Sequence, residues 1–203
     1  ITVTGNANQG NYSVTYTAGK FTITAADGAV TAPTAKTDLI YNGKAQDLIS
    51  AGSSTTGTIQ YSLDGKTYAE IIPQGTDAKE YTVYYKVSAD ANYKDVAAAT
   101  IKVTIARRGV TVTADDKSKE AGADDPELTA TVVGLIGEDK VTYTLTRAEG
   151  EEAGKYAITA SGEANQGNYS VTFVAGKLTI TAKAEPDTPA EPNVDVVNPD
   201  DAV

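Results

Sequence analysis

Residues 1–24, ITVTGNANQGNYSVTYTAGKFTIT, return at residues 158–181 as ITASGEANQGNYSVTFVAGKLTIT, with no gap and 18 of 24 positions identical. Nine consecutive residues, ANQGNYSVT at 7–15 and 164–172, are the same letter for letter. Internal duplication on this scale restricts the chain to architectures that multiply one supersecondary unit. The six differences follow a pattern. Tyr16 becomes Phe173 and Phe21 becomes Leu178, so these positions stay large and apolar, while Asn6 becomes Glu163, one polar residue for another. Such changes are expected of two copies of one packed segment.

The segment reads as strand. Tyr12, Val14 and Tyr16 alternate with Ser13, Thr15 and Thr17, and beyond Ala18-Gly19 the residues Phe21 and Ile23 alternate with Lys20, Thr22 and Thr24. Period two on both sides of a glycine predicts a hairpin. In Thr58–Ile72, Ile59, Tyr61 and Leu63 share a face before an Asp64-Gly65 turn, and in Lys140–Ala148 so do Val141, Tyr143 and Leu145. No stretch has a convincing helical period. A weaker echo joins Ala78–Ile105 to Ala153–Ile180 and makes Tyr12, Tyr93 and Tyr169 equivalent, at spacings of 81 and 76 residues. The expectation is a tandem array in which residues 1–24 are the last third of a module whose front is missing.

Asp77 stands four residues before Tyr81 and Val83 two after it, and Glu152, Tyr156 and Ile158 repeat that spacing. In immunoglobulin-type sandwiches a tyrosine near the start of the sixth strand forms a corner, two residues before a cysteine. Here Val83 and Ile158 take the cysteine's place. Tyr81 and Tyr156 are therefore expected to bury their rings and to bond backbone through their hydroxyls. The expected fold class is all-β: immunoglobulin-like β-sandwich modules in tandem, arranged as a rod.

Composition removes most chemistry. The chain has no His, Cys, Met or Trp, which excludes Ser-His-Asp and Cys-His catalysis, the usual zinc and iron sites and any disulfide. A formal charge of −10 makes nucleic acid and anionic membranes poor partners, and no apolar run approaches the span of a bilayer. Asp115-Asp116, Asp124-Asp125, Glu149, Glu151 and Glu152 could offer calcium oxygens, but they are scattered and no EF-hand loop is present. The expectation is no enzyme activity, no metal and no cofactor. The "NYS" at Asn11 and Asn168 has the form of a glycosylation acceptor and reads instead as the opening of a strand. Tyr84 and Lys86, on the opposite face from Tyr81 and Val83, are the weak candidates for an exposed sugar-binding patch.

The stretch Thr111–Thr181, with Asp125-Pro126-Glu127-Leu128 and the "ANQGNYSVTFVAGKLTIT" ending, resembles an MBG ("mostly beta, glycine-rich") domain of large bacterial surface proteins. That family usually has Tyr-Gly-Asp before the Asp-Pro, where Ala121-Gly122-Ala123 stand here. The middle of the chain, with "LIYNGKAQDLISAG" and "YSLDGKTY", is similar to immunoglobulin-like repeats that accompany MBG domains. The resemblance implies four parts: residues 1–26 as the C-terminal hairpin remnant of a truncated MBG-like module, 30–106 as an immunoglobulin-like sandwich, 108–182 as an MBG-like sandwich, and 183–203 as an extended linker. Four of the seven prolines fall in that last part, among acids. The resemblance further implies an extracellular stalk or spacer on a bacterial surface, projecting a binding head. Its partners would be neighbouring repeats of the same chain. The alternative is an adhesive module for glycan or host protein.

Overall fold

Threonine, valine and tyrosine alternate through most of this chain, and such residues favour a pleated, half-buried backbone. The computed structural model describes residues 1–184; the proline-rich stretch of the expected linker lies outside them from residue 185 on. Among the described residues every regular element is a strand. The chain divides into two compact units, residues 1–109 with 167–170, and residues 110–166 with 171 onward.

The first unit opens with a two-residue ribbon, β1 (Asn8–Gln9) against β2 (Tyr12–Ser13). Short antiparallel pairs follow, β3 (Thr34–Ala35) with β5 (Ile49–Ser50) and β4 (Gln46–Asp47) with β7 (Gln74–Gly75). The one longer sheet is antiparallel, β6 (Gly57–Ser62), β8 (Glu80–Ala89) and β9 (Val96–Thr104) in that order. Val83 and Val87 on β8 are fully buried with Leu48 and Ile49, and Val103 and Ile105 are nearly so. Each such side chain contributes roughly 1.5–3 kcal/mol by leaving water. The first unit thus holds one three-stranded sheet and three two-stranded ribbons. Residues 36–56 are rich in Gly, Ser, Thr, Asn and Asp, which favour turns over long strands. The expected Asp64-Gly65 turn is present, with Gly65 at φ +69°.

The second unit is a pair of four-stranded sheets. One runs β12 (Ala130–Val133), β10 (Arg108–Ala114), β16 (Tyr169–Val174), β15 (Asn165–Gln166). The other runs β11 (Lys117–Glu120), β17 (Gly176–Thr181), β14 (Gly154–Ser161), β13 (Thr144–Arg147). Val110, Val112, Ala114 and Val171 are buried from the first sheet and Ile158, Ala160, Leu178 and Ile180 from the second. Alternate residues of both sheets therefore share one core, which makes a two-layer sandwich. β11 joins β17 in parallel, Lys117 opposite Leu178 through Glu120 opposite Thr181.

The hairpin expected at the end of the repeat is not formed. β16 and β17 belong to different sheets, and the chain passes from one to the other at Ala175. Period two reports which face is buried but not which strand supplies the hydrogen bonds. In the first copy the hairpin is absent for another reason. Beyond β2 no strand forms over residues 14–24; the ends are held by Ile1 N donating to Gly19 O at 3.0 Å and Gly19 N to Ile1 O at 3.2 Å. Nor do the three aligned tyrosines share surroundings. Tyr169 opens β16 and is buried, Tyr93 follows a turn and makes an isolated parallel bridge with Ala26, and Tyr12 is 77% exposed.

Candidate functional site

Tyr81 sits opposite Val103 across β8 and β9, and Tyr156 opposite Leu178 across β14 and β17, each partner 22 residues further along the chain. Tyr81 Oη donates to Asp77 O at 3.0 Å, and Tyr156 Oη to Glu152 O at 2.9 Å. The hydroxyls therefore bond backbone, four residues back in both cases. The rings, however, are half-buried rather than buried. They lie against glycine backbone at the rim. A Cβ on Gly75 would come 2.6 Å from the Tyr81 ring, and one on Gly150 would come 2.0 Å from the Tyr156 ring. Each glycine is six residues before its tyrosine, in "GTDAKEY" and "GEEAGKY". That Gly-to-Tyr spacing was legible in the sequence and is the signal missed there.

Tyr84 and Lys86 share a face of β8 but serve separate contacts. The Tyr84 ring covers Gly65, 3.1 Å from where its Cβ would be, and Lys86 Nζ stands 4.5 Å over the Tyr68 ring. Tyr84 borders an open groove of about 480 Å³ with Leu63, Lys79 and Tyr81, and Lys86 is not part of it. The turn beneath is fixed by Asp64, whose Oδ1 accepts from Ser62 Oγ at 2.7 Å and from the amides of Lys66 and Thr67, each at 2.8 Å. These donors hold its carboxyl down at about 2.

Four of the seven acids that could have offered calcium oxygens have other partners. Asp115 accepts from the Thr129 and Thr131 hydroxyls, and Asp116 from the backbone and side-chain nitrogens of Lys177. Asp125 and Glu151 belong to a closed four-charge square. Lys119 Nζ, on a side chain only 5% exposed, lies 2.8 Å from Asp125 and 2.5 Å from Glu151. Arg147 grips Asp125 with Nε at 2.7 Å and Nη2 at 3.1 Å, and pairs with Glu151 as well. Its Nη1 caps Ala148 O at 3.0 Å and Gly150 O at 2.7 Å. Hydrogen bonds from Arg147 and Lys119 lower the Asp125 carboxyl, and bonds from Lys119 and Arg147 lower that of Glu151. The square ties β11, β13 and the loop after Glu120 together. Lys119 and Arg147 had no distinguishing signal in the sequence, where each reads as a solvated charge.

A shallow cavity of about 410 Å³ is lined by residues of 142–144 and 161–166. Gln166 spans it: Oε1 accepts from Thr142 N at 2.7 Å, and Nε2 donates to Thr142 O and Glu163 O at 2.8 and 2.9 Å. In the first copy the matching Gln9 donates to Tyr16 Oη at 2.8 Å and Asn6 O at 3.2 Å. Phe173 has no hydroxyl to offer in the second copy, and there the amide reaches Thr142.

The sandwich, its parallel closing strand and its glycine-backed tyrosine define the second unit, and its sequence decides the relationship. Residues 110–179 match the MBG domain, YGX type. No curated protein and no solved structure matches the chain. The MBG module keeps the glycine of the Tyr-Gly pair as Gly122, at φ +84° in the turn between Lys119 and Asp125. A left-handed residue there is cheap only for glycine. Where the tyrosine would precede it, Ala121 donates its N–H to Thr181 O at 2.8 Å and closes the turn onto β17 without a ring.

Proposed function

We propose that this chain is a structural segment of a bacterial surface protein, a spacer built of repeated modules in series outside the cell. The duplicated segment carries this reading: a stalk gains reach by copying a module, whereas a binding site needs one good copy. The paired surface of the MBG module supports it. Asp115, Asp116, Asp125 and Glu151 are all engaged by groups of the same module, which suits a part that holds shape rather than one that captures a ligand. The reading includes no enzyme activity, no cofactor, no nucleic acid and no membrane insertion. It leaves contacts to neighbouring repeats.

Small-angle scattering of the full chain tests it. A compact chain of this length has a radius of gyration of about 17 Å. The spacer reading expects a clearly larger value with the pair-distance profile of a rod, and a compact, single-lobed profile would overturn it. The second reading, an adhesive module for glycan or host protein, is favoured by the cavity at Gln166, where Tyr143, Glu163 and Asn165 present polar groups beside an open rim. Binding lost on Tyr143→Ala would favour it over the spacer.

A further inference from the structure

A main-chain nitrogen attacks the side-chain carbonyl of the residue before it most readily when it belongs to glycine, which has no side chain to crowd the approach. The chain has one Asn-Gly pair, Asn42-Gly43, and two Asp-Gly pairs, Asp27-Gly28 and Asp64-Gly65. All three lie in the first unit, and their surroundings separate them. Asp64 Oδ1 accepts from Ser62 Oγ and from the amides of Lys66 and Thr67, while Gly65 N, which would have to attack, donates to Ser62 Oγ at 3.0 Å. The donors keep the Asp64 carboxyl ionised, and a carboxylate resists attack. Asp27 is paired with Lys94 Nζ at 2.8 Å, and a Cβ on Gly28 would stand 2.4 Å from the Lys94 carbonyl oxygen, so that peptide is packed against a neighbouring backbone.

Asn42 is held differently. Both members of its pair are exposed, and Gly43 takes φ +75°. Asn42 Oδ1 accepts from Lys44 N at 2.9 Å. That bond folds the amide back along the turn. It also gives the carbonyl oxygen a donor where negative charge gathers once the carbon is attacked. Among the described residues no hydrogen bond engages Gly43 N or Asn42 Nδ2.

We infer that Asn42 is a self-modification site, converted by its own turn to aspartate and isoaspartate. Gly43 N bonds to Asn42 Cγ as the Cγ–Nδ2 bond breaks, and Nδ2 leaves as ammonia with the proton that Gly43 gives up. Water then opens the five-membered ring. Opening at Cγ gives aspartate, and opening at the Asn42 main-chain carbon gives isoaspartate. Either product adds a negative charge beside Lys44. Aspartate keeps an oxygen for Lys44 N. Isoaspartate adds a carbon to the main chain of a turn held on both sides, by Tyr41 N donating to Ala106 O at 3.0 Å and Gln46 Nε2 donating to Ile40 O at 3.1 Å.

The test holds the full chain for weeks in mildly alkaline buffer at body temperature, one arm folded and one in guanidinium chloride. Peptides from both arms are mapped by mass and by isoaspartate-specific methylation. In the folded arm, position 42 should exchange ammonia for water at a rate within about tenfold of that in guanidinium, with both Asp-Gly pairs at least about tenfold behind it. Asp64 should also isomerise at least about tenfold more slowly folded than unfolded, because its hydrogen bonds must break first. Asn42→Gln should remove the signal from its peptide. Asn42 left intact in the folded chain while it converts in guanidinium, an Asp-Gly pair that keeps pace with it, an Asp64 rate unchanged by folding, or a signal that survives Asn42→Gln would each overturn the inference.

Discussion

Gly176 lies so close to Ala114 that a Cβ on it would stand 2.3 Å from the Ala114 carbonyl oxygen. The contact falls where the chain leaves one sheet of the MBG module for the other. The matching glycine of the first copy, Gly19, has nothing within 4 Å of its would-be Cβ. Gly176→Ala should therefore destabilise the module by about 1–3 kcal/mol through backbone displacement, whereas Gly19→Ala should change stability by less than about 0.5 kcal/mol. Equal denaturation midpoints for the two variants would show that the close approach does not exist.

Leu178→Ala and Phe21→Ala make a second matched pair. Leu178 is fully buried, and its truncation should cost about 2–5 kcal/mol. Phe21 is exposed and its truncation should be close to neutral. Hydrogen exchange reads the same contrast without mutation: amides of 177–180 should be protected far longer than those of 20–23. Comparable protection in a dilute monomer would mean that the first copy is packed as the second is.

Tyr156→Phe removes only the bond to Glu152 O and should cost about 1 kcal/mol, with Tyr81→Phe costing a similar amount through Asp77 O. Gly150→Ala should cost more than Tyr156→Phe, since Gly150 sits at φ +141° and an added Cβ would meet the ring. Urea midpoints rank the three. A Gly150→Ala variant as stable as the parent chain would remove the glycine from the corner.

The charge square sets a pH window. Asp125 and Glu151 titrate below their ordinary 3.8 and 4.5 when folded, so their contribution is present above those values and is lost as pH falls through the lowered ones. Lys119 titrates above its ordinary 10.5, so its contribution is present below that value and is lost as pH rises through the raised one. The melting temperature should be flat between about pH 5 and 10 and fall on both sides. Lys119→Met should lower the plateau and soften both limbs. Limbs of unchanged steepness in that variant would exclude the square as their source.

Periodicity made the strands legible, and with them the inward faces: Val112 and Ala114, Ile158 and Ala160, Leu178 and Ile180 all alternate with exposed or half-buried neighbours. It did not reveal pairing. Val171 and Leu178 look like the two arms of a hairpin in sequence, yet they line opposite layers, because hydrogen-bond partners are chosen by the fold rather than by the strand's own residues. The hydroxyl bonds of Tyr81 and Tyr156 were readable from spacing; the half-exposed rings follow from Gly75 and Gly150, whose place six residues before each tyrosine was equally legible but carries no meaning until the fold lays the glycine against the ring. The square was hidden most deeply. Lys119, Asp125, Arg147 and Glu151 come from separate loops and strands, and nothing in a local window says that four charges will meet.

The parallel run of β11 beside β17 has a mechanical meaning. β11 lies near the start of the module and β17 at its end, so a pull on the two flanks of the chain slides these strands past each other along their length. Four residue pairs, from Lys117 with Leu178 to Glu120 with Thr181, then bear the load at once, where an antiparallel pair drawn from one end would part a rung at a time.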